Sequence, residues 1–265
     1  MPSLEFLFDP GEDPLGRELE ASLHPRTYLS LVEDADALVG PGDVVVDVGS
    51  RNGRYTRLLA TVTGCRVVGV DAVASQAVTA AHQPGPLMGG VAYIAALMQR
   101  LPFATASVDL LFCREVAYYL PDTAAALAEC RRALRPGGHL LLQSTYCTPA
   151  FEPAERARWV AALGLRPERM DLESMEATFA PAGFEVVRRD VIGSEWREAW
   201  TEAGDHWIED DLLSVARLAR REAELVGRFG RDRVEMVRGY ALWGLYHLLG
   251  KTVPVVHLLR KPPVD

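Results

Sequence analysis

The chain has no CxxC pair. Its four cysteines are Cys65, Cys113, Cys130 and Cys147, three in or beside expected buried strands and Cys130 on a helix, which predicts buried, reduced thiols in a cytoplasmic protein. No apolar run approaches membrane-spanning length, and the first residues carry neither a basic segment nor a long apolar one. Neither a membrane span nor a signal peptide is therefore expected. Basic charge is also in short supply. Lys and Arg number 28 against 36 Asp and Glu, a formal net charge of -8, which argues against nucleic acid or an anionic membrane surface as a partner. There is no internal repeat and no low-complexity tract. What is present is a globular composition, 49% apolar and 24% charged, in a chain of 265 residues. That is long enough for a full core and an appended cap.

One stretch organises the rest: Asp43-Val44-Val45-Val46-Asp47-Val48-Gly49-Ser50-Arg51-Asn52-Gly53-Arg54-Tyr55-Thr56. Its β-branched run reads as a strand buried on both faces, closed by Asp47. Gly49 and Gly53 bracket a tight turn, and Tyr55, Leu58, Leu59 and Val62 share one side of a following helix. Strand, glycine turn and helix make the first unit of a nucleotide-binding sheet. Glycine there lets a ligand approach the backbone, and the helix start offers N–H groups to an anion. The second strand, Cys65 to Asp71, ends in an acid about twenty residues past the first glycine, where a ribose-binding carboxylate belongs.

Residues Met1 to Pro14 read as a loose acidic arm, and Leu15 to Val39 as helical, interrupted at His24-Pro25. Tyr28 lies on this leading segment, within reach of a ligand or simply in the core. After Asp71, a small-residue helix over Ala72 to Ala81 precedes a strand at Val91 to Ala95 and another at Ser107 to Cys113. Asp122 is an N-cap candidate for a helix over Ala124 to Leu134, stopped by Arg135-Pro136-Gly137-Gly138, and His139 to Ser144 is a fifth strand. Strands alternating with helices imply a parallel, doubly wound α/β sheet.

With these elements in place, the chain resembles the class I S-adenosylmethionine (SAM) dependent methyltransferases. The resemblance rests on an ordered set: Val46-Asp47-Val48-Gly49-Ser50-Arg51-Asn52-Gly53, Val70-Asp71, Leu101-Pro102-Phe103, Val108-Asp109-Leu110, Leu134-Arg135-Pro136-Gly137-Gly138 and Ala182-Gly183-Phe184. It covers roughly Pro41 to Asp190 and implies a Rossmann-like seven-stranded sheet, mostly parallel. The antiparallel last strand, within Val253 to Arg260, would be inserted at the sheet edge. The resemblance also implies the cofactor, SAM, with S-adenosylhomocysteine as product. On it, the turn Asp47, Gly49, Ser50, Arg51 and Gly53 holds the methionine part. Asp71, followed by Ala72, takes the ribose hydroxyls, since a carboxylate can accept two donors. Met98 and Gln99 surround the adenine, Cys113 and Arg114 lie beside the methionine, and Tyr28, on a leading helix that in such enzymes often covers the ligand, is a candidate to reach the cofactor.

Two departures stand out. Arg51 replaces the middle glycine of the family turn, and Leu97 replaces the usual acid near the adenine. After strand four, Cys113-Arg114-Glu115-Val116-Ala117-Tyr118-Tyr119 resembles a segment in which acids and a histidine hold a divalent cation in some O-methyltransferases. Here Tyr118 and Tyr119 replace the second acid and the histidine, and phenols are poor hard-cation ligands, so no metal is expected. Glu115 remains either a catalytic acid or a capping or ion-paired carboxylate. Tyr119 is a candidate to orient the acceptor, and His206 a candidate general base.

The expected organisation is an arm and covering helices over residues 1–40 and a SAM-binding core over 41–192. An aromatic-rich helical cap over 193–252 and a last strand and tail over 253–265 complete it. Leu212, Val215, Ala219, Ala223 and Val226 form one helical face of the cap, and Val234, Val237, Ala241, Leu245 and Leu248 another. Trp196, Trp200, Trp207, Tyr240, Trp243 and Tyr246 either pack the helices or form a lid over an acceptor pocket. The expected reaction is methyl transfer to oxygen or nitrogen of a small molecule, an aromatic specialised metabolite among the options. Two alternatives are a non-methylating member of the same fold and an NAD-dependent oxidoreductase.

Overall fold

A computed structural model describes residues 28–83, 90–204 and 206–263. Two compact units divide them: one is Tyr28–Ile192 with the chain from Gly250 onward, the other Gly193–Leu249.

The first unit opens with helix α1 (Tyr28–Asp36), followed by strand β1 (Val44–Val48), whose residues from Val45 onward are all buried. The valine run forms a central strand because β-branched side chains pack well on both faces of a pleated sheet. Then come α2 (Arg54–Thr63), β2 (Arg66–Asp71), α3 (Ala74–Ala81), β3 (Val91–Ala95), β4 (Val108–Arg114), α4 (Thr123–Ala133), β5 (Leu134–Cys147), α5 (Pro153–Ala162), α6 (Leu172–Glu176), β6 (Glu185–Val191) and β7 (Thr252–Arg260). The sheet runs β3-β2-β1-β4-β5-β7-β6, with β7 antiparallel to both neighbours and the other pairings parallel.

The seven-stranded Rossmann-like sheet expected from the sequence is therefore present. Its antiparallel strand, however, lies one place in from the edge. The side chains explain the order: β7 buries an almost continuous apolar run from Pro254 to Leu259, which needs cover on both sides. β6 interleaves its valines with Glu185, Arg188, Arg189 and Asp190 and is mostly exposed, the character of a protected edge strand.

The corner after α4 does two jobs. Leu134 caps the helix, and β5 then runs straight through Arg135-Pro136-Gly137-Gly138, with a register shift against β4 between Val108 and Leu110. Asp109 anchors this bulge. Its Oδ2 accepts the Val44 N–H at 2.7 Å, and its Oδ1 pairs with Arg135, so one carboxylate ties the starts of β1 and β4 to the corner. The main core lies on the face made by Val46, Val48, Leu111, Cys113, Leu140, Leu142 and Tyr146. Ala126, Leu127, Cys130 and Ala133 of α4 pack there with Met175 and Phe179. All four cysteines are free, and only Cys147 is not fully buried.

The second unit contains α7 (Glu195–Glu202), α8 (Trp207–Arg220), α9 (Glu222–Phe229) and α10 (Arg231–Leu248). The apolar face expected to run from Leu212 to Val226 is not formed. The chain breaks at Arg221, which ends α8 and begins α9, so the helical phase restarts. Ile208 and Leu218 are buried instead, while Leu212 is exposed and so are Ala219 and Ala223. On α10, Val234 and Ala241 are buried as expected and Val237 is exposed. Trp196 and Tyr246 are buried, and Trp207 and Tyr240 are exposed. The side chain of Trp200 lies outside what the structure describes. Arg197 is buried, stacks over Trp196 at 4.3 Å and donates from Nε to His247 Nδ1 at 3.4 Å. Burial and this cation hold the His247 pKa well below its ordinary value.

Removal of Asp109 should be costly because it leaves the part-buried Val44 N–H unsatisfied. Asp109→Ala is expected to lower stability by roughly 2–3 kcal/mol, and Arg135→Ala, which removes only a half-exposed ion pair, by less than about 1 kcal/mol. Urea unfolding of the two variants checks this; equal losses would mean the Val44 bond carries little.

Candidate functional site

Strand order reverses between β1 and β4, and in open α/β sheets ligands bind at such a point, beyond the carboxyl ends of the strands. Val48 is paired with Val70 on one side and Cys113 on the other, so the ends of β1, β2 and β4 lie together. The turn after β1 is suspended from β2. The Gly49 and Ser50 N–H groups both donate to the Val70 carbonyl, at 2.7 and 3.1 Å, and Gly53 N–H donates to the Ser50 carbonyl at 2.8 Å.

Asp71 closes this arrangement. One carboxylate oxygen accepts the Arg51 N–H and the other the Val73 N–H, each at 2.8 Å. Each oxygen keeps capacity for a second donor. Arg51, in the place of the family glycine, adopts the left-handed conformation with φ 48°, a geometry uncommon for a side-chain-bearing residue. Its N–H is what Asp71 holds.

The two turn glycines are required by their neighbours within the protein. At Gly49, with φ 80°, a Cβ would lie 2.2 Å from Val116 Cγ2; at Gly53, with φ 76°, it would enter the Tyr93 ring. The ligand-approach argument made from sequence is thus not the only demand on these positions. Tyr93 also receives a bond from Arg57 at 3.3 Å.

Asp47 is buried beneath the turn. Its Oδ2 accepts from Thr56 Oγ1 at 2.6 Å. Burial pushes its pKa up from 3.8 to about 6, a rise only partly offset by the Thr56 bond and the nearby Arg114 charge. Arg114 stacks on the Tyr55 ring at 4.1 Å. Ser50 Oγ is buried without a hydrogen-bond partner. Ala72 is exposed and Gln99 half-buried, and the Met98 side chain belongs to the core. The Cys113 thiol is fully buried, and desolvation raises its pKa well above the ordinary value. Tyr28 opens α1, but its side chain lies outside the described residues.

Among the described residues, Glu115 neither caps a helix nor pairs with a cation. It too is left-handed, with φ 57°. Its N–H donates to the Gln143 carbonyl at 2.9 Å. Its Oε1 accepts from Gln143 Nε2 at 2.5 Å and from Thr145 Oγ1 at 2.8 Å. Tyr118 lies buried beside it, and desolvation, then the Glu115 charge, raises the Tyr118 pKa well above its ordinary value. Tyr119 is exposed, edge-on to Tyr118 with ring centroids 4.7 Å apart. His206 belongs to the helical unit, where it precedes α8; its side chain is 77% exposed and stands 3.9 Å from Glu209.

Several residues that sequence reasoning passed over belong to this region: Thr56, Val73, Val116, Gln143 and Thr145. The polar run Gln143-Ser144-Thr145, following the apolar Leu140 to Leu142 on β5, was the available signal for the last two. Val73 and Leu97 are exposed apolar residues, 54% and 56%, each two positions past the paired strand ends Asp71 and Ala95. Among the described residues, no group of three or more His, Cys, Asp or Glu is placed to hold a metal ion, and no helix is long and apolar enough to cross a membrane.

A doubly wound sheet with a glycine turn after β1 and an acid closing β2 defines a Rossmann-like protein built for a nucleoside cofactor. A family model described as a methyltransferase domain matches residues 46–142. The 27-O-demethylrifamycin SV methyltransferase of Amycolatopsis mediterranei (strain S699) is 27% identical over 209 residues, 76% of either chain. The O-methyltransferase resE of Aspergillus sclerotiorum is 31% identical over 205 residues, 76% of this chain and 71% of its own. Among solved structures, the cyclase SpnF shares the fold with a TM-score of 0.65 at 20% identity, over 89% of this chain and 80% of that one. The chain belongs to the class I SAM-dependent methyltransferase family, and its relatives include enzymes named for small-molecule substrates.

Because the folded-state pKa of Asp47 is raised, its ionised form costs stability above pH 6, and that cost disappears as the pH falls below 3.8. Asp47→Asn keeps an acceptor for Thr56 and should stabilise the protein at pH 8 by up to about 3 kcal/mol, a gain that vanishes near pH 4. Urea unfolding at the two pH values measures it. Gly49→Ala should destabilise through both overlap with Val116 and its positive φ. Adding Val116→Ala should restore all but the backbone cost of roughly 1–2 kcal/mol; strictly additive losses would exclude the overlap.

Proposed function

We propose that this enzyme transfers the methyl group of SAM to an oxygen or nitrogen atom of a small organic molecule, in specialised metabolism within the cytoplasm, without a metal. The observation that carries this reading is Asp71: a buried carboxylate at the end of β2 with spare acceptor capacity on both oxygens, bound to the N–H of the turn on one side and of Val73 on the other. The donor and acceptor set suits SAM. Asp71 would accept the two ribose hydroxyls, and Val73 and Leu97 would cover the faces of the adenine. Arg114 would meet the methionine carboxylate, and the buried, unpartnered Ser50 Oγ has a bond to offer nearby.

SAM supplies a methyl group on a sulfonium, whose departure leaves a neutral thioether. The protein's tasks are then to align the acceptor, exclude water and, where needed, hold a proton. Tyr119 is placed in this reading to orient the acceptor, while Glu115 and His206 are its proton-accepting candidates.

Titration calorimetry with SAM and with NAD tests the proposal. SAM should bind and NAD should not. Asp71→Ala should lose two bonds to a charged acceptor, about 1.5–3 kcal/mol each, or roughly 10²–10⁴-fold in affinity. Unchanged SAM affinity in that variant, or preferential NAD binding by the wild type, would overturn it.

A further inference from the structure

The end of β5 holds a polar cluster out of keeping with its buried surroundings. Gln143 is buried, as is Thr145, and both donate to the same oxygen, Glu115 Oε1. This geometry decides which way the Gln143 amide faces. A carboxylate oxygen accepts only, so the amide must turn its NH₂ toward Glu115 and its own oxygen away. Two acceptors are then left over. Glu115 Oε2 and Gln143 Oε1 are both buried, and neither makes a hydrogen bond. Tyr118 is buried nearby, and desolvation, then the Glu115 charge, raises its pKa well above the ordinary value.

Buried acceptors without donors are uncommon and costly, and each calls for an explanation. The backbone adds a second anomaly at the same residue, the left-handed φ of 57° at Glu115. Strain of this kind concentrates where a side chain must be held for function. The next residue, Val116, packs directly over Gly49 of the glycine turn, so the cluster adjoins the cofactor end of the sheet. Pairing of Cys113 with Leu142 and of Arg114 with Gln143 puts Gln143 level with Arg114.

Resting on the methyltransferase reading above, we propose that Glu115 Oε2, with Gln143 Oε1 beside it, receives a hydrogen bond from the methyl acceptor, which therefore carries a hydroxyl or an ammonium at the atom to be methylated. A carbon nucleophile without such a donor leaves both acceptors unsatisfied and is rejected. An ammonium first gives one proton to Glu115 Oε2, which frees the nitrogen lone pair; a hydroxyl gives its proton to Oε2 as its oxygen attacks. The lone pair then forms the bond to the methyl carbon, and the carbon–sulfur bond breaks with its electron pair going to sulfur. Gln143 and Thr145 are positioning residues: by donating to Oε1 they keep Oε2 available.

The test uses the full chain saturated with S-adenosylhomocysteine and three probes: phenol, benzylamine and toluene. The Gln143 side-chain amide is followed by nitrogen-15 NMR and assigned by its loss in Gln143→Leu. Phenol, benzylamine or both should move this signal while toluene does not. Phenol alone assigns a hydroxyl acceptor and benzylamine alone an ammonium. An equal response to toluene, or no response to any probe, overturns the proposal. Thr145→Ser should keep the response and Thr145→Val should weaken probe binding at least tenfold; a Thr145→Val protein that responds like the wild type removes the positioning role. Glu115→Gln should melt at or above the wild-type temperature, because its amide supplies a missing donor. A fall of several degrees would make the cluster a structural tie and overturn the proposal. S-adenosylhomocysteine affinity by calorimetry should be the same in all variants. If the wild type fails to bind it, the underlying cofactor-site reading falls; if it binds and the probes fail, only the acceptor proposal falls.

Discussion

The site depends on one carboxylate. Asp71 accepts an N–H from the turn after β1 and another from the start of α3, and charge-assisted bonds of this kind are roughly twice as strong as neutral ones. Segments leaving two neighbouring strands are thereby held at one anionic point. The Gly49 and Ser50 N–H groups, bound to the Val70 carbonyl, complete the attachment. A ligand that uses the spare capacity of Asp71 meets a site whose backbone is already ordered, and preorganisation of that sort reduces what binding must spend on conformational entropy.

That attachment is sterically coupled to the end of β4. Gly49 has no Cβ because Val116 occupies the space, and Val116 follows Glu115, whose left-handed backbone lets its N–H and its carboxylate both reach β5. Two residues with side chains, Arg51 and Glu115, therefore carry positive φ on either side of the strand-order reversal. Each is compensated by a specific hydrogen bond that its N–H donates, to the Asp71 carboxylate in one case and to the Gln143 carbonyl in the other. Asp47, buried below with a pKa near 6, shows the same trade. Its ionised form costs stability at neutral pH.

The helical unit is organised differently. Its surface arginines, Arg221, Arg228, Arg231 and Arg238, pair with Glu222, Glu224 and Glu235, and exposed pairs of this kind contribute little each. Its internal order comes from buried Ile208, Leu218, Val234 and Ala241 and from the stacking of Arg197 on Trp196 beside His247.

Sequence alone determined the strands from β1 to β4 to within two residues, the glycine turn and the acid that closes β2. These were legible because β-branched runs, glycines and an acid at a fixed spacing report local backbone geometry, which neighbours in sequence largely decide. Only the tertiary structure decided that β6 takes the edge and β7 the interior, because that order depends on which strand has two apolar faces to cover. It alone decided the break at Arg221, where a run of acceptable helical periodicity concealed a change of phase. It also decided the partners of Glu115: Gln143 and Thr145 lie 28 and 30 residues away, and no local pattern encodes a hydrogen bond across that distance. Their meeting follows from the pairing of β4 with β5, which brings the ends of two separate strands to the same level.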